Sequence, residues 1–187
     1  MKKRVCIISG ILLLLVIVVV FGYIRINNMY PPSRVVEADM GEELEYQEGV
    51  MISVDKAEYI SNKQRDNVYE KIGIEPVSDL KILEVTIMLE NVTKESKKMS
   101  MTDLHLETTG ASNGISKVII DVSEGRYGSL TQELQPGEKK QIILPYEVLP
   151  NLFSKKIWNE IEKQKFWLTF SSYPEKTKLN LRIGVYE

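Results

Sequence analysis

Residues 5–24 read VCIISGILLLLVIVVVFGYI, twenty positions without a charged side chain. As a helix rising about 1.5 Å per residue, such a run covers roughly 30 Å, the thickness of a bilayer's hydrocarbon. It also makes its backbone hydrogen bonds internally, where no water can supply them. The first partner implied is therefore the lipid bilayer, through residues 5–24. A secretory signal has a similar basic start and apolar core, but that core usually runs about 7 to 15 residues and ends at small side chains. Val20, Phe21, Gly22, Tyr23 and Ile24 offer no such cleavage site, which favours an uncleaved anchor. Cys6 precedes the core, whereas a lipidated Cys would follow it, so it reads as a small apolar residue of the span; reversible acylation of a membrane-proximal thiol is the alternative.

Lys2, Lys3 and Arg4 outnumber Arg25 on the far side, and basic residues close to a span are retained in the cytoplasm. Residues 1–4 thus read as a cytoplasmic basic end and 5–24 as the transmembrane anchor. Residues 25–36, stiffened by Pro31-Pro32, read as a stalk, and 37–187 as one extracytoplasmic domain. The first 25 residues carry a charge of +4 and the remaining 162 carry −6. That balance leaves no broad basic surface for nucleic acid. With one Cys and one His in 187 residues, a disulfide framework, a zinc site of several Cys or His ligands and a Cys/His dyad all lack material. No cofactor and no metal are expected.

Beyond the stalk the apolar period is mostly two, the strand period. Leu83, Val85, Ile87 and Leu89 alternate with Glu84, Thr86, Met88 and Glu90; Ile142, Leu144, Tyr146 and Val148 alternate likewise. Phe166, Leu168 and Phe170, then Leu179, Leu181 and Ile183, repeat the pattern. Segments 43–46, 50–60, 104–108 and 115–121 bring the strands to about eight. Asn91, Thr109-Gly110, Asn113-Gly114 and Pro136-Gly137 supply turn chemistry between them. Two stretches break the period. Residues 154–163, SKKIWNEIEK, read as a three-turn helix capped by Ser154 with Ile157, Trp158 and Ile161 on one face. Residues 61–79 read as a long loop, with a short helical turn near 68–71.

The order of these signals carries a resemblance. The alternating strand ends at Glu90-Asn91. Then follow Met99-Ser100-Met101-Thr102-Asp103-Leu104 with Leu106 and Gly110, and Leu134-Gln135-Pro136-Gly137-Glu138 leading into 142–148. Upstream, Met40-Gly41-Glu42 and residues 50–60 fit the first strands. In these motifs the chain resembles the telokin-like, immunoglobulin-like extracellular domains of Gram-positive lipoproteins and membrane-anchored proteins, a family largely of unknown function. The resemblance implies an immunoglobulin-like antiparallel β-sandwich of about eight strands with one short helix, and it brings no catalytic residues. The chain departs from that pattern in lacking a lipidation site, in the 61–79 loop and in the 154–163 helix.

No G-x-S-x-G turn is present; Gly125-Arg126-Tyr127-Gly128-Ser129 has its glycines wrongly spaced for one and reads as a loop. His105, between Leu104 and Leu106, reads as a solvent-facing strand residue. Asp121, Ser123 and Glu124 suggest a calcium loop only superficially, since an EF-hand loop needs oxygen ligands spread over twelve positions. Glu160 and Glu162 read as a solvated helix face. Lys155, Lys156, Lys163 and Lys165 read likewise, with contact to anionic wall polymer or lipid headgroups as the alternative. The contact candidates are Tyr69 and Ile72 in the 61–79 loop, and Trp158 and Trp167 around the helix. Of these, Tyr69 is expected exposed and Trp158 packed; Trp167 is either covered by Trp158 and its helix or exposed. The function expected is a single-pass membrane-anchored binding or interaction module, not an enzyme, with an unidentified envelope protein or polymer as partner. The alternatives are an accessory subunit of a transporter, sensor or immunity complex and, from another class, an envelope hydrolase with a carboxylate site.

Overall fold

The computed structural model describes residues 2–76, 79–123 and 125–184. Helix α1 (Lys2–Met29) contains the apolar run. Its stretch Gly10–Met29 is long and apolar enough to cross a membrane, and none of it is buried; a membrane anchor and a signal sequence are both compatible with such a helix near an N-terminus. The helix takes up the first part of the expected stalk and strand β1 (Arg34–Ala38) takes up the last. The irregular connection contracts to residues 30–33, where Pro31 disfavours helical geometry in the residue before it.

From Val35 onward the chain forms a second compact unit. Its strands after β1 are β2 (Leu44–Gln47), β3 (Val50–Tyr59), β4 (Lys81–Asn91), β5 (Lys97–Ser100), β6 (His105–Thr108) and β7 (Ala111–Gly114). Then come β8 (Thr131–Leu134), β9 (Lys139–Val148), β10 (Trp167–Thr169), β11 (Glu175–Asn180) and β12 (Ile183–Gly184). One sheet runs β1-β11-β10-β6-β7; the other runs β12-β3-β4-β9, with β2 also on β3; β5 and β8 form a separate pair. The fold is a mainly β sandwich, as expected, but with twelve strands among the described residues rather than about eight. The pairing of β12 with β3 is parallel.

The core follows from strand alternation. Leu83, Val85, Ile87 and Leu89 of β4 and Leu144 and Tyr146 of β9 are fully buried between the sheets, where they meet Leu106, Leu168 and Leu179 of the facing sheet. Strand β3 keeps Ile52 and Val54 inward, bulges between Val54 and Lys56, and then turns Ala57 and Tyr59 inward. Asn91 ends β4 as expected: its buried amide donates to the carbonyls of Glu95, Leu134 and Gln135 and its oxygen accepts from Thr93. Pro136-Gly137 makes the expected turn, with Gly137 at φ 73, closed by the Glu138 N–H to the Gln135 carbonyl at 3.0 Å. Asn113-Gly114, expected as a turn, lies within β7.

At the outer edge of β9 each backbone oxygen that faces away from β4 from Ile143 to Glu147 is occupied. Ile143 accepts from Gly128 N–H at 3.1 Å, Pro145 from Ser116 N–H at 2.9 Å, and Glu147 from the Asn113 side-chain amide at 2.7 Å. Pro145 is tolerated inside the strand because the N–H it lacks would face this edge rather than β4.

Three segments differ from expectation. Residues 61–79 are dominated by an 11-residue helix, α2 (Asn62–Ile72). Ser61 and Gln64 form a reciprocal capping box, and Gly73, at φ 78, ends the helix in the left-handed conformation. Residues 115–121, expected as a strand, instead lead into one-turn helix α3 (Lys117–Val122). The β-branched run Val118-Ile119-Ile120 suits a strand, but a strand would turn Val118 and Ile120 to one face. As a helix it buries Ile119, half-buries Ile120 and leaves Val118 53% exposed. The helix expected over 154–163 breaks into α4 (Lys155–Trp158) and a 3-10 turn at Ile161–Lys163. The break lets Trp158 stack on Phe153 at 6.2 Å while Ile161 enters the main core, and it leaves Ile157 39% exposed.

Helices α2 and α3 cover one end of the outer face of the β3-β4-β9 sheet. Beneath them a second, smaller core joins Tyr69, Leu80, Ile82, Ile119 and Tyr127, flanked by Ile60, Ile72 and Ile143.

Candidate functional site

Alternation along β4 puts Glu84 on the outer face of its sheet, where a carboxylate would ordinarily meet water. Coverage of that face leaves Glu84 only 3% exposed, and a buried carboxylate requires a partner. The partners come from the 125–129 loop. Arg126 donates through Nε to Oε1 at 3.0 Å and through Nη2 to Oε2 at 2.8 Å, the bidentate geometry that suits a guanidinium. Tyr127 donates its hydroxyl to Oε1 at 2.6 Å, and the Arg126 guanidinium lies 5.7 Å from the Tyr127 ring centre. The hydrogen bonds from Arg126 to Glu84 hold its guanidinium more firmly protonated than usual. Burial, and then the bond to Glu84, push the Tyr127 phenol well above its ordinary range. The loop can approach closely because Gly128 has no side chain: a Cβ there would collide with Ile142 of β9.

A second carboxylate lies nearby on β9. Glu147 accepts hydrogen bonds from the hydroxyl of Tyr69 and from Ser116 Oγ, the latter at 3.0 Å. Tyr69 is therefore corrected from exposed contact residue to core residue. It is 5% exposed, and its ring fills the space beneath α2 while its hydroxyl ties that helix to the sheet. Burial, followed by the bond to Glu147, raises its pKa.

Between α2 and the 125–129 loop lies an open cleft of about 230 Å³. Glu84, Arg126 and Tyr127 line one side, and Gln64, Asn67, Val68 and Lys71 of α2 line the other. The remaining expected contact residues do not converge on it. Ile72 packs, half-buried, against the second core, and Trp158 packs against the main core, as expected of it. Trp167 is half-buried on the outer face of the other sheet, covered neither by Trp158 nor left open. Its Nε1 donates to Glu107 at 3.0 Å, and Lys178 Nζ sits 4.7 Å above its ring.

His105 is exposed, as are Lys155, Lys156, Lys163 and Lys165. Of the residues that suggested a calcium loop, Asp121 pairs with Lys117, and Glu124 lies outside the described residues. The Glu84, Arg126 and Tyr127 cluster escaped the sequence reading because its members are separated by 42 and 43 residues. One signal was available: apolar residues on both faces of the chain at Leu80, Ile82 and Leu83, and again at Ile142, Ile143 and Leu144, mark a sheet covered on both sides at that end.

Replacing Arg126 by Ala is expected to lower stability by about 2 to 4 kcal/mol, because it strands the Glu84 carboxylate. A fully buried pair would cost about 3 to 5, and Arg126 is half in water. Adding Glu84→Gln should recover most of the loss, since an amide needs no counter-charge. Urea unfolding of the two variants measures both effects, and equal losses would show that the stranded Glu84 charge is not their cause.

A family model described as "Domain of unknown function (DUF5028)" matches residues 33–177. No curated protein is significantly similar to the chain. Similar solved structures include an uncharacterised β-sandwich protein of Clostridium difficile, with 9% identity over 80% of this chain and 96% of that one and a TM-score of 0.45. A conserved protein of Bacillus anthracis gives 16% identity, coverage of 77% and 94%, and a TM-score of 0.48. The secreted protein MPT63 of Mycobacterium tuberculosis gives 10% identity, coverage of 78% and 96%, and a TM-score of 0.46.

Proposed function

The chain belongs to the DUF5028 family, a domain of unknown function, and from that premise we propose that it is a single-pass membrane protein whose sandwich, of the telokin-like immunoglobulin type, acts outside the cytoplasm as a binding or interaction module. One observation carries the reading: an apolar helix, exposed from Gly10 to Met29, precedes a sandwich with its own core. The basic residues before the apolar run set the direction of insertion. Binding is favoured over catalysis by the state of Glu84, which lines the cleft, and of Glu147 on β9. Glu84 already accepts from Arg126 and Tyr127, and Glu147 from Tyr69 and Ser116. Both are engaged in holding the fold, and neither is poised as a free base.

Protease added to intact cells should remove the sandwich and leave a membrane-bound stub of roughly 30 residues, ending near the close of α1. A sandwich that resists external protease but is digested after lysis would reverse the orientation. A sandwich recovered free in the medium would replace the anchor by a cleaved signal.

A further inference from the structure

We infer that segment 150–158, with Lys165 beside it, is a docking surface for an acidic peptide segment of another protein, one that sets a single large apolar side chain between carboxylates. This deepens the reading of the domain as a binding module and rests on it. The segment folds as a 3-10 turn, Pro150–Leu152, followed by α4. Phe153 and Trp158 pack against the main core with their rings stacked, while Leu152 is 43% and Ile157 39% exposed. Leu152 and Phe153 line a shallow apolar depression together with Thr108, Ala111 and Phe166. The Thr108 hydroxyl donates to the Lys165 carbonyl at 2.8 Å, so Lys165 borders the same depression.

Lys155, Lys156 and Lys165 are exposed, and among the described residues nothing pairs with their ammonium groups. The carboxylates of this part of the chain are engaged already: Glu160 with Lys163 at 3.1 Å, Glu162 with Lys81 at 2.9 Å, and Glu147, which also lines the depression, with Tyr69 and Ser116. The local balance is therefore positive on a domain that is acidic as a whole, so an acidic partner is steered to this end of it. The apolar side chains decide what kind of partner that is. A wall polymer of phosphates or sugars would use the lysines and leave Leu152 and Ile157 in water. A bilayer is flat where this surface is concave, and Trp158, the side chain best suited to a bilayer interface, is packed inward. A peptide side chain flanked by carboxylates uses everything present: its apolar tip covers Leu152, Ile157 and the depression, which supplies affinity, and its carboxylates meet the lysines, which supplies rate and specificity.

The test presents the full chain, in nanodiscs of zwitterionic lipid, to a phage library of random dodecapeptides. Enriched peptides are expected to carry one Leu, Ile, Phe or Trp between Asp and Glu residues. Made synthetically, they should bind at least about tenfold more weakly to the double variant Lys155→Glu with Lys156→Glu and, separately, to Leu152→Ser, each with its circular dichroism retained. Replacing the peptide's own apolar residue by Ala should weaken it as much. Enrichment of peptides that are not acidic, or binding unchanged by both variants, would overturn this surface and leave the binding-module reading standing; no enrichment at all would count against both. Affinity that survives loss of the peptide's apolar residue would overturn it in favour of a charge-only site for a polyanion. Quenching of Trp158 fluorescence by brominated phosphatidylglycerol in the disc, measured with Trp167→Phe so that one tryptophan remains, would overturn it in favour of the bilayer. None of these outcomes alters the protease pattern on cells, so failure of the proposed topology is visible separately.

Discussion

Replacing Val85 or Ile87 by Asp is expected to abolish folding of the sandwich. Both side chains are fully buried at the centre of the longest pairings in the fold. Val85 lies between Ala57 and Leu144, and Ile87 between Val54 and Ile142. A carboxylate there meets only hydrocarbon. It must either remain charged without a partner or take up a proton, and each course costs several kcal/mol in addition to the lost apolar contact. Domain stabilities are about 5 to 15 kcal/mol, so one such change takes most or all of the margin. The neighbouring position Met88, half-buried on the opposite face of β4, provides the control: Met88→Asp should cost about 1 kcal/mol. Far-ultraviolet circular dichroism and urea titration separate the cases. If the Val85 and Ile87 variants unfold at the parent's urea midpoint, the inward face of β4 has been assigned wrongly.

A steep loss of stability above about pH 10 is the second large effect expected. Tyr46, Tyr59, Tyr69, Tyr127 and Tyr146 all have pKa values raised above the ordinary tyrosine value, in each case first by burial. Contacts with Asp103, Glu162, Glu147 and Glu84 add to the burial of Tyr46, Tyr59, Tyr69 and Tyr127 respectively. A buried phenol stays protonated, whereas in the unfolded chain it ionises near pH 10. Between the unfolded and the folded pKa the folded state therefore holds more protons, and stability falls as pH rises. Below the unfolded pKa the contribution is fully present. Each tyrosine adds at most about 1.4 kcal/mol per pH unit, so five together reach about 7. Urea midpoints measured from about pH 8 to 11 should stay level and then drop sharply. A profile level through pH 11 would mean that these hydroxyls titrate as they do in water.

Where strand alternation and the main core coincide, the sequence reading agrees with the structure. In β4 and β9 every second residue is apolar, and burial between two sheets is the simplest use of that pattern. Asn91 and Pro136-Gly137 were readable because their chemistry is local. The covered face of the sheet was less accessible. Ser61 and Gln64 spell a capping box and Gly73 a stop, yet 61–79 reads as a loop when apolar periodicity alone is weighed, since only Tyr69 in α2 is fully buried. Val118-Ile119-Ile120 has strand propensity, but it is helical because the second core takes Ile119 and Ile120 from one side. The cleft could not be read at all, since its two walls come from α2 and from a loop more than fifty positions later in the chain.

The occupied outer edge of β9 has a consequence for life at a surface. Chains tethered in one membrane, as proposed above, meet at an effective concentration far higher than the same number of free molecules would reach. An open strand edge under those conditions invites stacking of copies through their backbones. On β9 the carbonyls of Ile143, Pro145 and Glu147 are taken by Gly128, Ser116 and Asn113, and Pro145 has no donor to offer. Crowded neighbours meeting this side of the domain find three acceptors in a row already engaged, so a strand from another copy gains little by pairing here.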